Sequence, residues 1–146
     1  MKAAILNDVE YVRMVQVVKP KPSATEILIK VKACSICTTD VKIYHYGHKL
    51  MVFPRIIGHE VSGEIVEIGN SVQGYKTGDR VAVAPAIPCG KCYYCRRGTQ
   101  NMCLNLTAIG YHYDGGFAEY MLIPEDAVKN GCVNQIPSGL SFEEAA

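Results

Sequence analysis

The 146 residues predict a mainly β domain with short helices, its strands forming a twisted, barrel-like layer, and three observations carry that prediction. Apolar and polar residues alternate through Glu26 to Ala33 (EILIKVKA), the period of a half-buried strand. Short β-rich runs recur at Ala3 to Leu6, Val61 to Ile68, Arg80 to Ala84 and Phe117 to Ile123, set apart by Gly, Pro and Asn. No run of strands alternates with long helices, the pattern that builds a parallel sheet. At 49% hydrophobic and 20% charged, residues 1–146 have the composition of one domain with a packed core.

Two segments carry helical signals. One spans Thr38 to Tyr46, with Thr38 or Thr39 as the expected N-cap; the other opens at Ser141, where S-F-E-E pairs a capping hydroxyl with Glu144 three residues on. The sequence stops as this second helix starts, so it is expected to be a domain truncated from a longer protein. No internal repeat or low-complexity tract interrupts it.

A net charge of +1 gives no broad basic field, which argues against nucleic acid or an anionic membrane as partner and for a small molecule. The N-terminus lacks the apolar stretch of a signal peptide, and no run has the length of a membrane-spanning helix. The expected location is cytoplasmic. Seven cysteines are an odd number for a disulfide framework, and reduced cytosolic thiols favour metal binding.

Four of them, Cys89, Cys92, Cys95 and Cys103, form C-x2-C-x2-C-x7-C. Three thiols on a tight turn and a fourth returning shortly after can deliver four sulfurs to one tetrahedral zinc, and Gly90 and Gly98 let the loop fold back. Four thiolates leave no open coordination position, so the lobe at about residues 85–105 is expected to be structural. Lys91, Arg96 and Arg97 decorate it. They are a solvated face in one reading; in another, with Tyr93 and Tyr94, they make the chain a zinc-binding interaction module without catalysis.

Other motifs carry chemistry of a second kind. Gly58-His59-Glu60 continues to Gly63, Gly69 and Val72 as G-H-E-x2-G-x5-G-x2-V, downstream of C-x-x-D at Cys37 to Asp40. With the four-cysteine lobe, G-D-R-V at Gly78 to Val81 and G-G-F-A-E-Y at Gly115 to Tyr120, the chain resembles the zinc-dependent medium-chain alcohol dehydrogenases over essentially its whole length. Glu60 beside His59 and the retained four-cysteine lobe are similar to the sorbitol (polyol) and threonine dehydrogenase branches, which share most of these motifs with simple alcohol dehydrogenases. The resemblance implies the family's N-terminal catalytic domain, a GroES-like β-barrel with a zinc lobe. The Rossmann domain is absent from this chain, in which no G-x-G-x-x-G occurs.

The resemblance also assigns roles. Cys37 and His59 become ligands of a catalytic zinc, and Glu60 a third ligand or one that exchanges with water. Thr39 takes the alcohol proton, and Asp40 holds His59 by its remaining ring nitrogen. Lys42 stands where many members have a relay histidine, which leaves His45 and His48 as candidates for that step. In related polyol enzymes a further carboxylate follows the stretch corresponding to S-F-E-E-A-A. The implied enzyme oxidises a secondary alcohol or polyol to the ketone with NAD or NADP, and is a homo-oligomer, a dimer or tetramer, when full length. A stand-alone fold with no catalytic role is the third reading. Cys34 and Cys132 belong to no motif and are expected to pack, His112 to be hydrogen-bonded or exposed, and Tyr44 and Phe53 to line a cleft or fill the barrel end.

Overall fold

In the computed structural model, which describes residues 1–146, ten strands and four short helices follow one another. They are β1 (Lys2–Asp8), β2 (Tyr11–Gln16), β3 (Ile27–Ser35), α1 (Thr38–Tyr46), β4 (Arg55–Ile56), β5 (Glu60–Ile68), β6 (Arg80–Val83) and β7 (Ala86–Ile87). Then come α2 (Tyr93–Arg96), a 3-10 turn (Gln100–Met102), β8 (Thr107–Ala108), β9 (Tyr120–Ile123), α3 (Glu125–Lys129), β10 (Val133–Gln135) and α4 (Phe142–Ala145).

The architecture is the expected one, strands first and helices short. An antiparallel sheet in the order β10-β6-β5-β3-β9 is joined to a smaller one, β2-β1-β4, and β7 pairs β8 beside the four-cysteine lobe. The join runs through a bridge between Ala3 and Ala118 and the bond from the Ala4 N–H to the Phe117 carbonyl, 2.8 Å. β3 lies between β5 and β9: Ile27, Leu28 and Ile29 are all fully buried, and Lys30 faces water. Ile65, Val81, Met121 and Ile123 from the neighbouring strands close the main core against Ile27 and Ile29. A second cluster, Leu6, Ile43, Met51 and Ile57, lies under α1, with Tyr44, Phe53, Tyr111 and Phe117 packed around it. Tyr44 and Phe53 thus fill the end of the barrel, and Ile43 ties α1 to it.

Several elements differ from expectation. The cap of α1 is Cys37, whose Sγ accepts from the Thr39 N–H at 3.3 Å while its own N–H donates to Asp40 Oδ2 at 3.0 Å. A thiol therefore occupies the position where a Thr hydroxyl is the commoner choice. Only Tyr120 to Ile123 of the last predicted run is regular strand. β2, α2 and α3 form without having been predicted. The capping box at Ser141 forms as expected, the Ser141 N–H donating to Glu144 Oε2 at 2.8 Å and the Glu144 N–H to Ser141 Oγ at 3.1 Å. α4 is docked on the sheet: the buried Ser62 hydroxyl donates to the Phe142 carbonyl at 2.6 Å, and the Arg80 guanidinium lies 4.5 Å from the Phe142 ring centre. No helix is long and apolar enough to cross a membrane.

Candidate metal centres

Two groups of side chains come together that could hold a metal ion, each with its ligand atoms within 4.8 Å of one another: Cys89, Cys92, Cys95 and Cys103, and Cys37, Asp40 and His59.

The first follows from a loop between β7 and β8 that wraps around its own sulfurs. Cys92 Sγ lies 3.5 Å from Cys95 Sγ and 4.0 Å from Cys103 Sγ, and the Cys89 N–H donates to Cys103 Sγ at 3.2 Å. Four sulfurs at about 2.3 Å from one zinc sit about 3.8 Å apart, so the set fits tetrahedral zinc. The electrostatics agree. Backbone N–H groups of Cys95 and Leu104 bring the Cys92 thiol down to about 6, whereas burial, and then Cys92 itself, push Cys95 up to about 12. Sulfurs this close ionise together only around a cation. Asn130 ties the lobe to the barrel, its side-chain amide donating to the carbonyls of Pro88 and Asp126 at 2.8 Å each.

The second group is built where three sequence motifs meet. β3 delivers Cys37 to the N-terminus of α1, and Asp40 follows in the first helical turn, 3% exposed. His59 comes from the link between β4 and β5, held against the G-G-F-A-E-Y segment by main-chain bonds: Gly115 N–H to the Ile56 carbonyl at 2.7 Å, Gly116 N–H to Gly58 at 2.9 Å and Phe117 N–H to Ile57 at 3.0 Å. This contact explains two of the glycines. A Cβ on Gly58, already at φ 92°, would lie 2.6 Å from the Phe117 ring, and one on Gly115 would lie 2.1 Å from the Gly58 carbonyl oxygen.

In the assembled site His59 is 9% exposed and faces a different partner with each nitrogen. Nε2 is 3.3 Å from Cys37 Sγ, and Nδ1 is 3.4 Å from Asp40 Oδ1, with no other partner for either of the latter two atoms. A sulfur and an imidazole nitrogen on one tetrahedral zinc are about 3.6 Å apart, close to the observed separation. Nδ1 and Oδ1, which face each other and no other polar atom, are the pair expected when a carboxylate orients a metal-binding histidine. Hydrogen bonding to Asp40 raises His59 to about 8 despite its burial. Burial alone would raise Asp40 and Cys37. The bonds from His59 and the Cys37 N–H to Asp40, and from Thr39 to Cys37, outweigh it and lower both. The result is a sulfur and a carboxylate on either side of one imidazole ring.

Other predicted residues fall into place around this set or outside it. Thr39 is adjacent to the sulfur and half-buried. Glu60 begins β5, opposite Ser35, and its carboxylate is not among the clustered ligand atoms. Lys42 is exposed on α1, and His45 turns away to Glu10, with Nδ1 2.7 Å from Oε1. Cys34 packs on the main core and Cys132 lies within it, and burial, reinforced by Asp40, pushes Cys34 up to about 12, so it stays a thiol. One neighbour went unnoticed in the sequence: the ring of Tyr111 lies 6.3 Å from that of His59 and 4.7 Å from that of His48.

A mainly β domain that carries a four-cysteine cluster and, apart from it, a cysteine, histidine and aspartate set has the makeup of a dehydrogenase GroES-like domain. Residues 23–134 match the model of the alcohol dehydrogenase GroES-like domain, and the chain belongs to that family. It is 41% identical to the L-threonine 3-dehydrogenase of Pyrococcus furiosus over 99% of this chain and 42% of that protein. It is 40% identical to the starvation-sensing protein RspB of Escherichia coli over 85% of this chain and 37% of that protein. Among solved structures, a zinc-binding dehydrogenase from Sinorhizobium meliloti bound to NADP superposes with a TM-score of 0.86 at 39% identity, over 97% of this chain and 40% of that one. The galactitol-1-phosphate dehydrogenase of Escherichia coli superposes with a TM-score of 0.89 at 29% identity, over 99% and 40%. The chain thus spans about two fifths of the length of the relatives it matches.

Proposed function

We propose that the chain is the catalytic domain of a zinc-dependent NAD(P) dehydrogenase that oxidises a secondary alcohol or polyol to the ketone. The observation that carries this reading is the row Asp40, His59, Cys37, in which the buried Asp40 carboxylate faces one nitrogen of the buried imidazole and the Cys37 sulfur faces the other. In this reading Cys37 and His59 hold the catalytic zinc and the Cys89, Cys92, Cys95 and Cys103 lobe holds the structural one. Glu60 occupies the position that exchanges with water. A bound zinc supplies a Lewis acid that lowers the pKa of an alcohol hydroxyl. The chain's own residues do the rest. Asp40 keeps His59 in the tautomer that leaves Nε2 free to bind metal. Thr39, half-buried beside Cys37, takes the alcohol proton, because a hydroxyl accepts and donates at once. The apolar cluster of Leu6, Ile43 and Ile57 holds α1, and with it Cys37 and Thr39, at a fixed distance from His59.

The hydride acceptor is NAD or NADP, bound by a Rossmann domain of the longer protein; relatives with NADP and NADH bound support this. The names of relatives that act on L-threonine and galactitol 1-phosphate support a small hydroxyl compound as substrate. The full-length protein is proposed to be a cytoplasmic homo-oligomer. The test is NAD(P)H formation by the full-length protein with a panel of secondary alcohols. Turnover that disappears in Cys37→Ser while the fold persists supports the reading; turnover kept in Cys37→Ser refutes it.

A further inference from the structure

Tyr111 and His48 belong to the surroundings of the metal centre and also to the wall of a separate cavity. That cavity, about 270 Å³, is completed by His112, Thr107, Leu50 and Leu106. Tyr111 is therefore shared. Its ring stands nearly edge-on to His48 and is the next ring beyond His59.

Backbone bonds set both cavity histidines in one tautomer. The Leu50 N–H donates to Nδ1 of His48 at 3.2 Å, and the Ala108 N–H donates to Nδ1 of His112 at 3.1 Å. A ring nitrogen that accepts a hydrogen bond carries no proton, so in each neutral ring the proton sits on Nε2. The Thr107 hydroxyl is spent on the Ile87 carbonyl, 3.5 Å away. What the lining offers a ligand is two imidazole N–H donors and the Tyr111 hydroxyl, with no acidic side chain among them. Donors without competing carboxylates suit a group that only accepts.

We propose that this cavity is a subsite for a small oxyanion, a carboxylate or a phosphate ester, at the far end of the alcohol whose carbinol carbon reacts at the Cys37–His59 centre, an assignment that rests on the dehydrogenase reading of that centre. Tyr111, shared by both, sets how far the anion lies from the reacting carbon. In this role His48, His112 and Tyr111 are specificity-determining residues, selecting hydroxy acids or hydroxyalkyl phosphates over plain alcohols.

The test uses the zinc-loaded chain and three probes: 3-hydroxybutyrate, glycerol 3-phosphate and 2-butanol, followed by the histidine ring proton signals in NMR. Saturable shifts of His48 and His112 with one of the two anions, and none with 2-butanol, are expected; the anion that acts says whether the subsite is for carboxylate or phosphate. His48→Phe, which keeps a ring against Tyr111 and removes the Nε2 donor, is expected to weaken that binding at least fivefold. Equal shifts at His45, which lies outside the cavity, or unchanged affinity in His48→Phe, would overturn the proposal. The two readings fail separately. Anion shifts in a chain that binds no metal at Cys37 remove the dehydrogenase reading and keep the oxyanion site; metal at Cys37 with no anion shift does the opposite.

Discussion

Replacing Asp40 with asparagine changes one charge and almost no volume at a position that is 3% exposed. The amide oxygen can still accept from the Cys37 N–H, now 3.0 Å from Oδ2, so the turn that caps α1 survives. What is lost is the negative charge 3.4 Å from His59 Nδ1, and the amide N–H2 left there opposes a ring N–H instead of accepting it. Partners of this kind to a metal-binding histidine are worth 10–100-fold in metal affinity, about 1.4–2.8 kcal/mol. In the metal-free protein His59 falls from about 8, because the hydrogen bond that raises it is gone and burial, which lowers it, remains. Zinc competition against a chromophoric chelator reads the first effect and NMR titration of the His59 ring the second. Wild-type affinity for the second zinc, with His59 still near 8, would refute the assignment of Asp40 as the group that orients His59.

Cys103→Ser removes one corner of the lobe and is expected to cost one zinc per chain and more than about 4 kcal/mol of stability, the range of metal loss, measured by metal analysis and chemical denaturation. Ile43→Ala, under α1 and 2% exposed, is expected to lower stability by about 2–5 kcal/mol, seen as a fall in the urea midpoint at constant m-value. Chelation links stability to pH through His59. Its folded value near 8 lies above the ordinary value of 6.5, so in zinc-free protein the stabilisation is complete below about 6.5 and lost as pH rises through 8. Zinc reverses the sign for binding: it displaces the proton, so its affinity at Cys37–His59 rises with pH up to about 8, as titration calorimetry in two buffers should report.

The parts of the fold that could be read in advance are those where one physical cause dominates. In β3 the run Ile27 to Ile29 is buried whole and exposed residues return from Lys30, and the spacing from Cys89 to Cys103 brings four sulfurs together. The glycines of G-H-E and G-G-F-A-E-Y recur because those two segments touch, with no room for a Cβ on Gly58 or Gly115. Elements that escape prediction have weak or divided causes. β2 presents Tyr11, Val12 and Met14 to water, so its pattern has no buried face, and its turn uses Glu10 at φ 57° where Asn or Gly is usual. β4, β7 and β8 are two residues each, too short for a period. α3 begins after Pro124, which has no side-chain acceptor to announce a cap. Within the site, Cys37, Asp40 and His59 were legible from their motifs. Glu60 follows His59 directly, and its carboxylate stands outside the cluster that Cys37, Asp40 and His59 form. Tyr111 reaches His59 only through tertiary packing, and its flanking residues give no local sign of it.

The most direct test of the central claim is zinc per chain, measured by elemental analysis of the purified protein under reducing, chelator-free conditions. Two centres predict about two zincs, falling to about one in Cys37→Ser with the fold intact. A wild-type value of one that Cys37→Ser leaves unchanged would contradict the catalytic centre, and a value of zero would contradict both.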